Sequence, residues 1–151
     1  LVKIAPDLTE AEVEDICSVV GRHGIDGIIC SNTTISRAGL KTAGAAVEAI
    51  GAGGLSGQPL AGRPEGIIRT VRRALGPDLP IIGVGAVRDA DSAWRLLAAG
   101  ANLIQVYTGL VYEGPALIRR INRGLLARLD REGFAKIGDA VGSGAEASES
   151  I

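Results

Sequence analysis

The chain has 151 residues, which suggests one domain at about 100–200 residues each. Hydrophobic residues make up 46% and charged residues 22%, ordinary globular usage that excludes a disordered, collagen-like or disulfide-scaffold protein. Lys and Arg number 16 against 17 Asp and Glu, a net charge of -1, which argues against nucleic acid or a polybasic membrane contact as partner.

Residues 2–5 read as a strand that Pro6 ends. Thr9 and Glu12 have the spacing of a capping box, and Val13, Ile16, Cys17 and Val20 follow at helical spacing. Residues 27–30 form a short, wholly apolar strand, the pattern of a strand covered on both faces. Residues 31–63 read as one long Gly- and Ala-rich loop containing Gly53-Gly54-Leu55-Ser56-Gly57. Pro64 opens a helix with Ile67, Ile68, Val71 and Leu75 inward. Residues 80–84 are a third strand, Asp89 or Asp91 starts a further helix, and residues 102–106 are a fourth strand. Residues 115–131 make a long basic helix with Leu117, Ile121, Leu125 and Leu129 inward. Residues 138–151, rich in Gly, Ser, Ala and Glu, are expected to be a disordered tail.

The first residue is Leu, and the chain contains no Met. This gives the expectation of a chain that starts mid-protein, a fragment without a signal peptide. Cys17 and Cys30 form no CxxC pair and His23 is the sole histidine. No metal site, disulfide framework or Ser/His/Asp triad is expected, and a reduced cytosolic setting fits.

Four β-then-α units without a hairpin mean an α/β fold with a parallel sheet. A (β/α)8 barrel takes about 250 residues. Residues 1–137 therefore fit its half, about four βα units, with a doubly wound open sheet as the rival. Polar and Gly residues gather where the strands end, as barrel chemistry requires. Gly85 and Ala86 precede a helix N-terminus, and Thr108 and Gly109 follow the last strand, an arrangement suited to a phosphate. Lys3 is a charge within an apolar strand, pointing into the barrel mouth or snorkelling to solvent. Ser31, Asn32, Thr33 and Thr34 offer four hydrogen-bonding side chains in a row, for a ligand or for turn capping. The Gly53–Gly57 stretch allows close approach to a ligand or is a plain loop.

In order, Val2-Lys3-Ile4-Ala5-Pro6-Asp7-Leu8, Ser31-Asn32-Thr33-Thr34, Gly53-Gly54-Leu55-Ser56-Gly57, Ile82-Gly83-Val84-Gly85 and Val106-Tyr107-Thr108-Gly109 resemble the C-terminal half of dihydroorotate dehydrogenase, class 2 quinone type, over residues 1–137. The resemblance implies half of an FMN-binding TIM-type barrel that oxidises dihydroorotate to orotate in pyrimidine biosynthesis and passes electrons to quinone. It implies that Lys3 lies at the flavin pyrimidine edge and that Ser31 and Gly57 contact FMN. By the same resemblance Gly85, Ala86, Tyr107 and Thr108 hold the phosphate, and Asn32 and Thr33 bind the substrate. The catalytic base, a Ser in class 2, belongs to the N-terminal half, as do the membrane-associating helices that meet quinone. The whole enzyme is then expected at the cytoplasmic face as a peripheral membrane protein. The fragment is expected to be soluble, inactive alone and able to self-associate through its sheet edges. Ala86 stands where the family has Gly, which is harmless at negative φ and harmful at positive φ. The alternatives are half of another phosphate-binding barrel enzyme, or a non-catalytic remnant that assembles with a partner.

Overall fold

In the computed structural model, residues 1–144 are described. Four parallel strands form one sheet in the order β1-β2-β3-β4: Val2–Ile4, Ile28–Cys30, Ile81–Val84 and Leu103–Gln105. The order follows the sequence without a reversal. A doubly wound sheet reverses at a switch point and carries helices on both faces. Here the helices cover one face, so the open-sheet rival is set aside.

Side-chain alternation explains which face they cover. Ile4, Cys30 and Gly83 stand in one row across the sheet, with Ile28 and Ile81 one step below on the same face. All five are buried beneath α1 (Glu10–His23), α3 (Arg63–Leu75) and α4 (Ala90–Ala99). The opposite row runs Lys3, Ile29, Ile82 and Leu103. Lys3 and Leu103 are exposed and the two isoleucines are half-buried. Within these residues β2 buries Ile28 and Cys30 against the helices, and Ile29 on its other face is half-buried.

The helix ends follow local chemistry. The Thr9 hydroxyl accepts the Glu12 N–H at 3.3 Å, and the Glu12 carboxylate accepts the Thr9 N–H at 2.8 Å. This is the capping box that the sequence announces, worth about 1 kcal/mol. At α4, Asp89 accepts the Ser92 N–H at 2.7 Å, and the Ser92 hydroxyl accepts the Asp89 N–H at 3.0 Å. The last long helix, α6 (Ala116–Glu132), crosses α4 closely: a Cβ at Gly124 would run into the Ala90 side chain. Arg128 of α6 is not solvated as its basic helix suggests. Its guanidinium lies 4.7 Å from the Trp94 ring and pairs with Asp91 and Glu132.

Arg72 ties together the N-terminal end of the sheet. It donates to the carbonyls of Gly76, Leu79 and Gly100 and to Asn102 Oδ1. Asn102 Oδ1 also accepts the Ile81 N–H at 2.9 Å. In barrels that end is the stability end and the other carries chemistry.

Two expectations are corrected. Residues 31–63 are not one loop. They contain α2 (Gly44–Ile50), a 3₁₀ turn (Gln58–Leu60) and an antiparallel bridge between Thr34 and Leu55. Nor is all of 138–151 a disordered tail. Ala140 is fully buried beside Trp94, and the N–H groups of Gly142 and Gly144 donate to Leu97 and Ala98. The small residues that suggested disorder allow this close packing on α4. Residues 145–151 lie outside the described part.

Candidate functional site

A cleft of about 520 Å³ opens at the C-terminal ends of the four strands. That is a ligand-sized volume. Lys3, Ser31, Asn32, Thr33, Gly57, Gly85, Ala86, Tyr107 and Thr108 all line it. Residues separated by more than a hundred positions meet there because every strand in a parallel sheet ends on the same side.

Each wall has a local cause. The Ser31 N–H donates to Val84 and the Asn32 N–H to Ile4, both at 3.0 Å. These bonds extend the ladder past Cys30 and fix two side chains between β1 and β3. The Cys30–Ser31 peptide is cis. Ser31 is fully buried, and its hydroxyl donates weakly to the Asn32 carbonyl at 3.4 Å. Asn32 Oδ1 accepts the Thr33 N–H at 2.9 Å, which is local turn capping. Asn32 lines the cleft, and its amide NH₂ has no hydrogen-bond partner among the described residues. Lys3 enters no ion pair among the described residues, so its ammonium is free to meet an anion.

The glycine stretch approaches this chain itself. Gly54 abuts the Thr33 side chain so closely that a Cβ there would overlap its hydroxyl. The Thr34–Leu55 bridge, with bonds of 3.0 and 2.7 Å, locks the two segments together. A Cβ on Gly57 would lie 3.0 Å from the Thr108 methyl, and Thr108 Oγ1 donates to Ser56 Oγ at 3.0 Å. Gly57 and Ser56 thus border the cleft while Gly54 backs Thr33 in its wall.

The loop after β3 is the anion-suited part, but not for the reason its sequence suggests. The N-terminus of α4 is already capped by Asp89, which is acidic, with Asp91 beside it. The available donors lie upstream. Among the described residues, no acceptor takes the N–H of Ala86 or Val87, whereas those of Arg88 and Asp89 go to Ser92. Gly85 has φ +125 and its Cα packs against Pro64, where a Cβ would stand 2.9 Å from Pro64 Cγ. Ala86 has φ +55. The harmful case therefore applies: an L-residue in this region costs about 1–2 kcal/mol.

Tyr107 precedes α5 (Thr108–Glu113), a short helix where the sequence suggested only a strand end. Tyr107 is 76% exposed and Tyr112 is 84% exposed, both at the cleft rim.

Several contributors escape sequence reading. Arg88, Gln58, Gln105, Tyr112 and Glu113 line the cleft. Asp7 lies just outside it and anchors it. Its carboxylate accepts from the Thr34 hydroxyl, from the Ile35 N–H at 3.0 Å and from Arg63 at 3.0 Å. Those bonds, Thr34 first, hold the Asp7 carboxyl below its ordinary pKa. The partners lie 27 to 56 positions apart, so no spacing announces them. Cys30 is buried, and burial pushes its thiol up to about 12, which leaves it no role as a nucleophile.

The family model of dihydroorotate dehydrogenase matches residues 1–129. The chain belongs to the dihydroorotate dehydrogenase family. It is 49% identical over 143 residues to the dihydroorotate dehydrogenase (quinone) of Mycobacteroides abscessus, covering 95% of this chain and 40% of that protein. The enzyme of the same name from Thermobifida fusca is 48% identical, covering 94% of this chain and 38% of that protein. Among solved structures, DHODH from Eimeria tenella in complex with ferulenol superposes with a TM-score of 0.87 at 35% identity, covering 95% of this chain and 38% of that one. Its ligand-free form gives 0.85. The chain thus spans about two-fifths of the length of the dihydroorotate dehydrogenases it matches. Its four βα units are part of an α/β barrel, and the cleft lies at the barrel's chemical end.

Proposed function

We propose that this chain carries the phosphate cradle, the flavin-edge cation and the substrate clamp of a quinone-dependent dihydroorotate dehydrogenase. One observation carries the reading: the residues that bear two backbone N–H groups without acceptors among the described residues, an ammonium in no ion pair and an Asn–Thr pair all line the same cleft at the C-terminal ends of parallel strands. The donor set fits FMN. Ala86 and Val87 N–H groups suit a phosphate, with the Thr108 hydroxyl and Tyr107 beside them. Ser31 and Gly57, which line the same cleft, would flank the bound nucleotide. When bound, FMN supplies the hydride acceptor that dihydroorotate oxidation requires.

The remaining roles belong to the chain's own residues. Lys3 places a positive charge on the inner wall, where it stabilises negative charge developing on an adjacent ring. The Asn32 amide donates toward a carboxylate or ring amide, and Thr33, held by Gly54, offers a hydroxyl next to it. Together they orient a small planar acid.

No residue of this cleft is assigned the proton-abstracting role. Cys30 is disqualified by its burial. The base, the quinone contact and peripheral attachment at the cytoplasmic face of a membrane belong to the remaining part of a whole enzyme of this family. The 151-residue chain alone is expected to show little or no turnover. Among the described residues, no helix is long and apolar enough to cross a membrane.

The test is an FMN titration followed by quenching of flavin fluorescence, with Lys3→Ala and Asn32→Ala run alongside. The reading predicts saturable binding that Lys3→Ala weakens. It also predicts that orotate protects the bound flavin only when Asn32 is intact. Absence of flavin binding by the folded chain contradicts it.

A further inference from the structure

We infer that Ser56 is a positioning residue for the phosphate end of the cleft, where it holds the Thr108 hydroxyl in the orientation that a phosphate requires. The inference rests on the flavin reading and adds a residue to it. Thr108 Oγ1 donates to Ser56 Oγ at 3.0 Å, although the two lie 52 positions apart in the chain. Both residues are half-buried and both line the cleft.

Threonine is branched at Cβ, so a single χ1 angle places its methyl and its hydroxyl together. The Thr108 methyl is seated against Gly57, where a Cβ would lie 3.0 Å from it. The hydroxyl is seated against Ser56. Contacts on both branches select one rotamer. Ser56 itself stands on a fixed mount. Leu55 before it is bonded through its N–H and its carbonyl to Thr34, at 2.7 and 3.0 Å, and the Thr34 hydroxyl is held by Asp7. The phosphate end is thereby tied to the loop that carries Asn32 and Thr33.

The proton count gives Ser56 its role. A hydroxyl has one proton to donate and two lone pairs to accept with. In this structure the Thr108 proton goes to Ser56, and no acceptor among the described residues takes the Ser56 proton. To meet a phosphate oxygen, Thr108 must turn its proton outward. Rotation about two C–O bonds achieves this with the heavy atoms unmoved: Ser56 then donates to Thr108 Oγ1, and Thr108 donates to the ligand. A hydroxyl that accepts one hydrogen bond donates a stronger one, so the pair is cooperative. Ser56→Ala removes both the anchor and this polarisation and leaves the Thr108 side chain held by its methyl alone.

The test is a double-mutant cycle on the 151-residue chain, with FMN and riboflavin titrated separately into the parent, Ser56→Ala, Thr108→Val and the double variant. Ser56→Ala should weaken FMN binding roughly threefold to tenfold, the range of one hydrogen bond. It should leave riboflavin, which lacks the phosphate, unchanged. Thr108→Val should weaken FMN at least as much. The double variant should bind FMN no worse than Thr108→Val, because Ser56 acts through Thr108. Scalar couplings to the Thr108 methyl in the ligand-free chain give a second readout: one χ1 rotamer in the parent and averaging in Ser56→Ala. A parent chain that binds neither flavin contradicts the flavin reading, and the couplings then decide by themselves whether Ser56 holds Thr108. Additive losses of FMN affinity, equal weakening of riboflavin, or an unaltered Thr108 rotamer in Ser56→Ala would overturn the proposal.

Discussion

Gly54 sits against Thr33 so closely that any side chain at 54 would take the place of the Thr33 hydroxyl. Gly54 is therefore a backing plate for the loop that carries Asn32 and Thr33. Gly54→Ala should push the clamp loop off its bridge, costing about 1–3 kcal/mol, the usual size of overpacking. Urea unfolding gives the cost. Faster hydrogen exchange at the bridge amides of Thr34 and Leu55 would localise it, and a neutral Gly54→Ala would refute the packing argument.

Ala86 makes the opposite prediction. Its φ of +55 belongs to glycine. Ala86→Gly should stabilise the fold by about 0.5–1 kcal/mol, the left-handed penalty of roughly 1–2 kcal/mol less the roughly 0.4–1 kcal/mol of entropy that glycine gains when unfolded. The loop keeps its shape, so a phosphate-bearing ligand should bind at least as tightly. Loss of stability in Ala86→Gly would mean that the loop does not require this conformation.

The Asp7 carboxyl is held below its ordinary value by Thr34, Ile35 and Arg63. The unfolded chain then takes up the proton more readily than the folded one. The stabilisation is complete above the ordinary carboxylate range and is lost as pH falls through the folded value. Asp7→Asn should lower the melting temperature at neutral pH and flatten its fall on the acid side. An acid limb of unchanged steepness in Asp7→Asn would count against this network.

Gly124 lies where α6 crosses α4, with Ala90 in the space its side chain would need. In an exposed helix, Gly→Ala gains about 1 kcal/mol. Here the sign should reverse, and Gly124→Ala should unfold at lower urea than the parent. A gain in stability would show that the crossing has room.

Much of this architecture was legible because it rests on local signals. Thr9 and Glu12 announced the cap of α1, and the 3.6-residue spacing of Leu117, Ile121 and Leu129 announced the buried face of α6. The nine candidate residues meet at one cleft because strand ends are readable and parallel strands end together. What stayed hidden depends on distance along the chain. Asp7 finds Thr34 and Arg63 only after folding. Ala140 finds its burial beside Trp94, so a composition that suggests disorder packs instead. α2 lacks any buried residue, and no periodic pattern marks it. The loop after β3 was recognised, yet the free donors proved to be those of Ala86 and Val87 and not the helix end, which Asp89 already fills.

The central claim is that the N–H groups of Ala86 and Val87 receive the phosphate of a flavin nucleotide. It is tested most directly by amide NMR of the ¹⁵N-labelled chain titrated with FMN and, separately, with riboflavin, which lacks the phosphate. The Ala86 and Val87 amides should show large, saturable shifts with FMN and much smaller ones with riboflavin. Equal shifts with both flavins, or FMN binding that leaves these two amides unmoved, would contradict it.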